Sequence, residues 1–269
     1  MKAFINHFSF EFRTGIRNQT LLLLNYLFPL GFYAMMGLIM PELNPTFLET
    51  MVPAMVVFAV LASTLLGLPE QFVTAREAGI FRSYKVNGVP AISILVIPAL
   101  TTVFHMAIIT VIITVTAPLF FDAPAPVNWF GFVLTFLALA FTCAGLGALI
   151  GVISSDSRMT VLWAQLIFLP SMMLGGMMIP YGDLPETAGR VSRLFPATMA
   201  MNAFRGLAMD LTADFSATGS LLVLLAGGLT AFGLAIYLFN WDRRNATQRG
   251  HPLMALLVLV PFGIGILLA

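Results

Sequence analysis

Charge is the scarcest commodity in this sequence: only 9% of its 269 residues are Asp, Glu, Lys or Arg, while 59% are hydrophobic. A soluble domain has about 25% charged and about 45–50% apolar residues, so a water-soluble fold is excluded. Cysteine is nearly absent as well. Cys143 stands alone in an apolar run, which excludes a disulfide framework and a thiolate metal site. His7, His105 and His251 are far apart, and no His-Glu-x-x-His pair occurs. No Gly-x-x-x-x-Gly-Lys-Ser/Thr loop is there to cradle phosphates, and no Gly-x-Ser-x-Gly elbow to raise a nucleophile. The thirteen basic residues are scattered rather than striped and leave a net charge of +1, so nucleic acid is not an expected partner. The N-terminus has no signal-peptide pattern, because mixed residues precede the first apolar run and no small-residue cleavage site follows.

What is present is hydrocarbon in long runs, with a mean hydropathy of +0.95. Apolar segments cover about 20–40, 50–68, 91–120, 129–153, 159–179, 219–240 and 253–269. Each is near the ~20 residues that cross a ~30 Å hydrocarbon core. The last is short and contains Pro261. The fold class expected is an all-α integral membrane protein, a single domain over 1–269. It would comprise an N-terminal interfacial helix, six transmembrane helices with short outer re-entrant helices after the fifth, and a candidate seventh span in an atypical tail, 245–269.

Residues 1–19 place Phe4, Ile5, Phe8, Phe12 and Ile16 on one helical stripe, with Lys2, Arg13 and Arg17 mostly opposite. That pattern suits a helix lying in the membrane interface, the alternative being a cytoplasmic tail. Basic residues also fall in 69–90, at Arg158 and at Arg243, Arg244 and Arg249, whereas 41–49 and 121–128 have none. With the N-terminus inside, ten of the thirteen lie on the cytoplasmic side, as the positive-inside rule requires. The exceptions, Arg190, Arg193 and Arg205, sit in 180–218 among Asp183, Glu186, Asp210 and Asp214. That segment breaks at Gly175-Gly176-Met177-Met178-Ile179-Pro180 and again at Pro185 and Pro196. Between the breaks are two short amphipathic helices on the outer side, able to dip back into the membrane where protein covers them.

The first half of the chain has one long polar interruption, 69–90, which holds Glu70, Arg76, Glu77, Arg82 and Lys85. In a chain so poor in charge this reads as a cytoplasmic coupling surface. Inside the spans only His105 and Gln165 stand out; His105 reads as a hydrogen-bonded packing residue or a substrate contact, Gln165 as interhelical glue. Gly145, Gly147 and Gly151 have the spacing of close helix contact. No acid–base or nucleophile pair converges, so an intramembrane enzyme is disfavoured.

Two stretches together resemble the permeases of the ABC-2 family of ATP-binding-cassette exporters. The first is Arg76-Glu77-Ala78-Gly79-Ile80-Phe81-Arg82-Ser83-Tyr84-Lys85 through Pro90, similar to that family's Arg-Glu-x-Gly, basic helix and closing Pro. The second runs from Gly175 to Pro180, then Leu184-Pro185, Phe195-Pro196 and Asn202-Ala203-Phe204-Arg205-Gly206. It is similar to the family's broken fifth span, re-entrant helices and Pro-to-Arg tail. The resemblance covers about 1–244 and leaves 245–269 outside the usual six-span plan.

The resemblance implies a transport subunit rather than an enzyme, holding no cofactor itself, with ATP and Mg bound by two copies of a partner ATPase. Arg76, Glu77, Gly79, Phe81, Arg82 and Tyr84 would form a coupling helix in a cleft of that ATPase, with Pro90 ending the helix before the third span. A second permease half, a homodimer in the simplest case, would complete a path lined by Val57, Phe58, Leu61 and Leu65 on the second span and Leu166, Phe168, Leu169 and Met173 on the fifth. The plainer alternative is that these eight face lipid or neighbouring helices. An apolar, Met-rich lining suits a drug, an antibiotic or a lipid-like compound moved out across a bacterial inner membrane. Two other readings stand beside it: a permease for polysaccharide or lipid-linked glycan, and a membrane assembly or signalling partner that moves nothing.

Overall fold

The computed structural model describes residues 9, 11–13, 17–44, 46–241 and 250–267. Among them every regular element is helical. The order is α1 (Gln19–Leu43), α2 (Phe47–Glu77), α3 (Ile80–Val86), α4 (Ala91–Phe121), α5 (Trp129–Ile153), α6 (Ser157–Leu174), α7 (Glu186–Ser192), α8 (Pro196–Leu207), α9 (Ala217–Leu238) and α10 (Pro252–Leu267). Polar side chains set several starts: Asn18, Asn128, Asp156 and Ser216 each accept hydrogen bonds from first-turn amides of α1, α5, α6 and α9. Of the expected interfacial helix 1–19, Ser9, Glu11, Phe12, Arg13 and Arg17 are helical, and 1–8, 10 and 14–16 lie outside the described residues. Arg243, Arg244 and Arg249 also lie outside them.

The apolar segments coincide with helices, and α1, α2, α4, α5 and α9 are long and apolar enough to cross a membrane. At 1.5 Å per residue α6 reaches about 27 Å, just under the ~30 Å core. The polar interruption 69–90 is the main difference from expectation. It is not one loop: the second span continues as helix to Glu77, turns at Gly79 and resumes as α3. Pro90 does not end a helix; α3 already stops at Val86, and Pro90 caps the start of α4. Its backbone is extended, and the amide that proline lacks is one that a helix start leaves without an intrahelical partner.

The bundle is built around α2, whose spanning portion is almost wholly buried and is flanked by α1, α4, α5 and α8. Between lipid-embedded helices the hydrophobic effect supplies little, and close van der Waals packing must hold them. The glycines of α5 provide it on two faces. Gly145 lies against Ala231 and Phe232 of α9, whereas Gly147 and Gly151 lie against Thr64 and Phe72 of α2. Threonine hydroxyls in the spans are mostly satisfied by their own helix. Thr64, Thr114 and Thr142 bond the carbonyls of Val60, Thr110 and Ala138 at 2.6–2.8 Å, so they line no polar path.

On the opposite side, Leu194 and Phe195, in the turn between α7 and α8, border one cavity with Pro170, more than a turn before α6 ends. The turn therefore folds back along α6. The three arginines of this region are each engaged. Arg190 pairs with Glu186 at 2.6 Å, and Arg205 donates to the Thr212 carbonyl at 3.0 Å with Asp214 3.9 Å away. Arg193 pairs with no acid among the described residues; it donates to the Tyr181 hydroxyl at 2.8 Å and covers the Phe215 ring. Asn202 pins α8 to the start of α9 with donations to the Phe215 carbonyl and Ser220 Oγ, both 2.9 Å, and accepts from the Asp214 and Phe215 amides.

A Cβ on Gly147 would come 2.2 Å from the Thr64 carbonyl oxygen, while one on Gly31 meets nothing within 4 Å. Gly147→Ala is expected to destabilise the detergent-solubilised protein by about 1–3 kcal/mol, as overpacking does. Gly31→Ala is expected to be neutral or stabilising, and a thermal melt of the two variants side by side checks this.

Candidate functional site

The charged residues beyond the core end of α2 do not form one outward surface. Arg76 turns inward. Its guanidinium donates to the carbonyls of Val152, at 3.1 Å, of Gly151, at 3.5 Å, and of Ser154, the oxygens that the end of α5 leaves without helical partners. A cation at a helix C-terminus also meets the negative end of its dipole. Glu70 turns the other way, toward α6. Its carboxylate accepts from Ser157 Oγ at 2.8 Å and Thr160 Oγ1 at 3.2 Å, placing a negative charge at the first turn of α6. Asp156 caps the same turn, accepting from the Arg158 and Met159 amides at 3.0 and 3.1 Å.

Gly79 has φ of 74°, a left-handed conformation in which a side chain costs about 1–2 kcal/mol. That turn ends α2 and starts α3, which returns to the bundle through Phe81. Phe81 is buried and packs on Phe239 at the end of α9, with ring centroids 5.6 Å apart. Tyr84, one turn later, is half-buried. Burial, with the Glu11 carboxylate adding to it, pushes its hydroxyl up from the usual phenol range, so Tyr84 stays neutral. Glu11, Glu70, Phe72, Ile80, Phe81 and Tyr84 are among the residues around a cavity of about 450 Å³ between this segment, α1 and α4.

The six coupling residues read from the sequence therefore divide. Arg76 and Phe81 fasten the segment to α5 and α9, Gly79 shapes it, and Tyr84 stands half-covered. Glu77 and Arg82 are exposed. The exposed face also includes Lys85, one of the charges that marked this segment in the sequence, and two residues that sequence reasoning passed over, Ile80 and Val86, the last 83% exposed. The phase was available, because Phe81 and Tyr84 are the one aromatic pair three residues apart in α3, and a short helix buries one face.

A family model for ABC-2 type transporters matches residues 4–209. This chain is an ABC-2 permease. Such a permease is the transmembrane part of a transporter whose ATPase is a separate subunit. Comparisons with curated proteins and with solved structures gave no match. The match ends two residues after α8, so α9 and α10 lie beyond it.

In the single permease chain, the eight path residues are not on one surface. Val57, Phe58, Leu61 and Leu65 are buried in the protomer, with Phe58 stacked on Phe32 at 3.9 Å and tilted against Phe168. Phe168 is buried too, but Leu166, Leu169 and Met173 are 52–62% exposed. Leu162, 63% exposed, extends their row. Those four recur at intervals of four, three and four residues, the spacing of a helix–helix seam.

The two polar residues of the spans also find their places. His105 is a buried packing residue: Nδ1 shares a 2.6 Å hydrogen bond with the Tyr26 hydroxyl, and Phe12 stacks on the ring at 4.7 Å. It joins α4 to a π-helical turn of α1, Leu23–Leu27, and to the segment before α1. A second π-helical turn, Ala62–Gly67 of α2, meets the first. Gln165 is not joined to a neighbouring helix through its carbonyl: its buried Oε1 accepts no hydrogen bond among the described residues.

Because Arg76 holds carbonyls and Arg82 is exposed, equal truncations should separate. Arg76→Met is expected to cost about 1.5–3 kcal/mol, the range for hydrogen bonds to a charged group, and to loosen the α5 end. Arg82→Met, at an exposed position, should cost less, no more than about 1 kcal/mol, the range for a solvent-exposed charge, and thermal denaturation of both variants distinguishes them.

Proposed function

We propose that this permease couples ATP hydrolysis in a partner subunit to outward movement of a hydrophobic or amphipathic compound, a drug, an antibiotic or a lipid-like molecule. The observation that carries the reading is the continuity of α2. One helix runs from the middle of the bundle to the exposed turn before α3, and Arg76, Glu70 and Phe81 connect that end to α5, α6 and α9. Force applied to the face formed by Glu77, Ile80, Arg82, Lys85 and Val86 would reach four long helices without crossing a flexible loop. An ATPase that binds this face differently in its two states would bias two arrangements of the bundle.

We place the face in the cytoplasm of a bacterial cell, the N-terminus on the same side, on the distribution of basic residues. Two ATPase copies would serve two permease copies. The exposed row Leu162, Leu166, Leu169 and Met173 favours a second copy of this chain across α6, and a path beside that row would be apolar. A lining without fixed charge and with an adaptable methionine suits apolar cargo and offers little to a charged glycan.

The test is reconstitution with the ATPase subunit in liposomes. Arg82→Glu and Val86→Asp are each expected to lower transport about tenfold, the effect of losing about 1.4 kcal/mol of docking energy, with insertion intact. Transport equal to the unmodified protein in both variants would mean that the face is not the docking surface. For the seam, Leu162→Cys and Leu169→Cys, neither of which lines a cavity wall, are expected to form disulfides between copies under mild oxidation, while Val111→Cys on α4 should not. Absence of any α6 cross-link would remove the homodimer.

A further inference from the structure

The last helix builds a cavity with α6. Gly250 lies against Tyr237 and Leu238 at one end of α9, and Gly265 against Val223 toward the other. So α10 runs antiparallel to α9 along about 21 Å of its length at 1.5 Å per residue. Phe262 anchors it: the ring is 1% exposed, and a Cβ on Gly227 would come within 2.7 Å of it. The first half of α10 is a 3₁₀ helix, Pro252–Val258, which rises about 2.0 Å per residue. It therefore reaches farther than its residue count suggests.

Between α10, α5, α6 and the α7–α8 turn lies a cavity of about 580 Å³. Leu149, Trp163, Leu166, Pro170, Leu256 and Leu259 are among its walls, which are nearly all hydrocarbon. Along α6 it extends from Met159 to Pro170, about 16 Å at the helical rise. Half of a ~30 Å hydrocarbon core is about 15 Å, so the length is that of the acyl region of one leaflet. Polar groups occur at one end. Ser155 is on the rim, and Arg158 is exposed on the first turn of α6, beside Met159. The far end closes on Leu194 and Phe195.

We propose that this cavity is a binding slot for one acyl chain of a membrane glycerophospholipid, its phosphate at Arg158. The wall length fits a single leaflet, and the walls offer no partner to a polar cargo. Arg158, an exposed cation at the Ser155 end of the cavity, sets the direction of the chain, head group at that end and methyl end at Phe195. The slot exists because α10, outside the stretch that matches the family, stands beside α6. This site rests on the cavity alone and not on the export reading, so either can fail without the other.

The test uses the full chain in nanodiscs containing a phospholipid with a photoreactive diazirine in the middle of one acyl chain, followed by mapping of adducts by mass spectrometry. Adducts are expected to concentrate on Trp163, Leu166 and Leu256. Filling the slot with Leu149→Phe and Leu256→Trp together should lower labelling at Trp163 about tenfold, a change of about 1.4 kcal/mol in binding, while Val111→Trp on α4 should not. If the filled variant does not fold, the distribution on the unmodified protein decides. Labelling of Val111 and Val115 on α4 as strong as labelling of the slot overturns the proposal. So does a disulfide between two copies at Leu256→Cys, which would seat a second chain there. Displacement of the slot label, but not of label elsewhere, by a membrane-permeant apolar dye would assign the cavity to cargo and also overturn it.

Discussion

Arg76 is the point on which the arrangement turns. A helix that ends inside a membrane protein leaves carbonyl oxygens without amide partners, and in a low-dielectric setting they must be satisfied. At the end of α5 a guanidinium from the end of α2 satisfies them. With Arg76 held there, α2 must continue as helix past the apolar stretch, and the Gly79 turn must bring α3 back under the bundle. Phe81 then meets Phe239, and Glu70 on the same helix meets the first turn of α6. A segment that looks like a solvated loop by composition is in this way tied by specific contacts to α5, α6 and the end of α9.

How much of this was legible depends on what each signal measures. Hydropathy located four of the five long helices to within a few residues, because burial in hydrocarbon acts on every residue of a span. It missed the polar end of α2, which runs nine residues past the apolar stretch. The chain breaks after α6 were legible for a similarly local reason: proline lacks an amide, and Gly176 takes φ of 80°. The inward role of Arg76 was not legible. Its partners are backbone carbonyls some 75 residues away, and a carbonyl carries no side-chain signature. Composition could say only that a charge was there, not which way it turned. The same limit explains Val57, Phe58, Leu61 and Leu65. An apolar residue in a span reads identically whether it faces lipid, a path or another helix, and only the packed structure places these four inside the protomer.

Close packing accounts for the rest of the core. Where lipid competes equally for apolar surface, specificity comes from shape, and here the shape is set by small residues on α5. Gly147 and Gly151 admit α2 on one side while Gly145 admits α9 on another. Thr142 adds direction, since its hydroxyl also approaches the Leu224 carbonyl of α9 at 2.6 Å. The result fixes α2, α5 and α9 as one unit and leaves exposed apolar rows on its periphery, notably on α6.

That division matters for how such a protein could move. A bundle in which α2 slid freely would absorb a push at α3 locally, and nothing would be transmitted. Here the contacts at the α3 end are polar or aromatic and specific, whereas the exposed row of α6 is plain hydrocarbon with no directional bonds. Hydrocarbon surfaces can exchange one apolar neighbour for another at little cost, and hydrogen-bonded ends cannot. Motion is therefore most easily taken up at the periphery, along α6, while the hydrogen-bonded end at α3 stays intact. The two π-helical turns, Leu23–Leu27 and Ala62–Gly67, contact each other within the bundle. A π turn has already given up the regular i→i−4 ladder, which makes this the level at which α1 and α2 can change register with the fewest bonds broken.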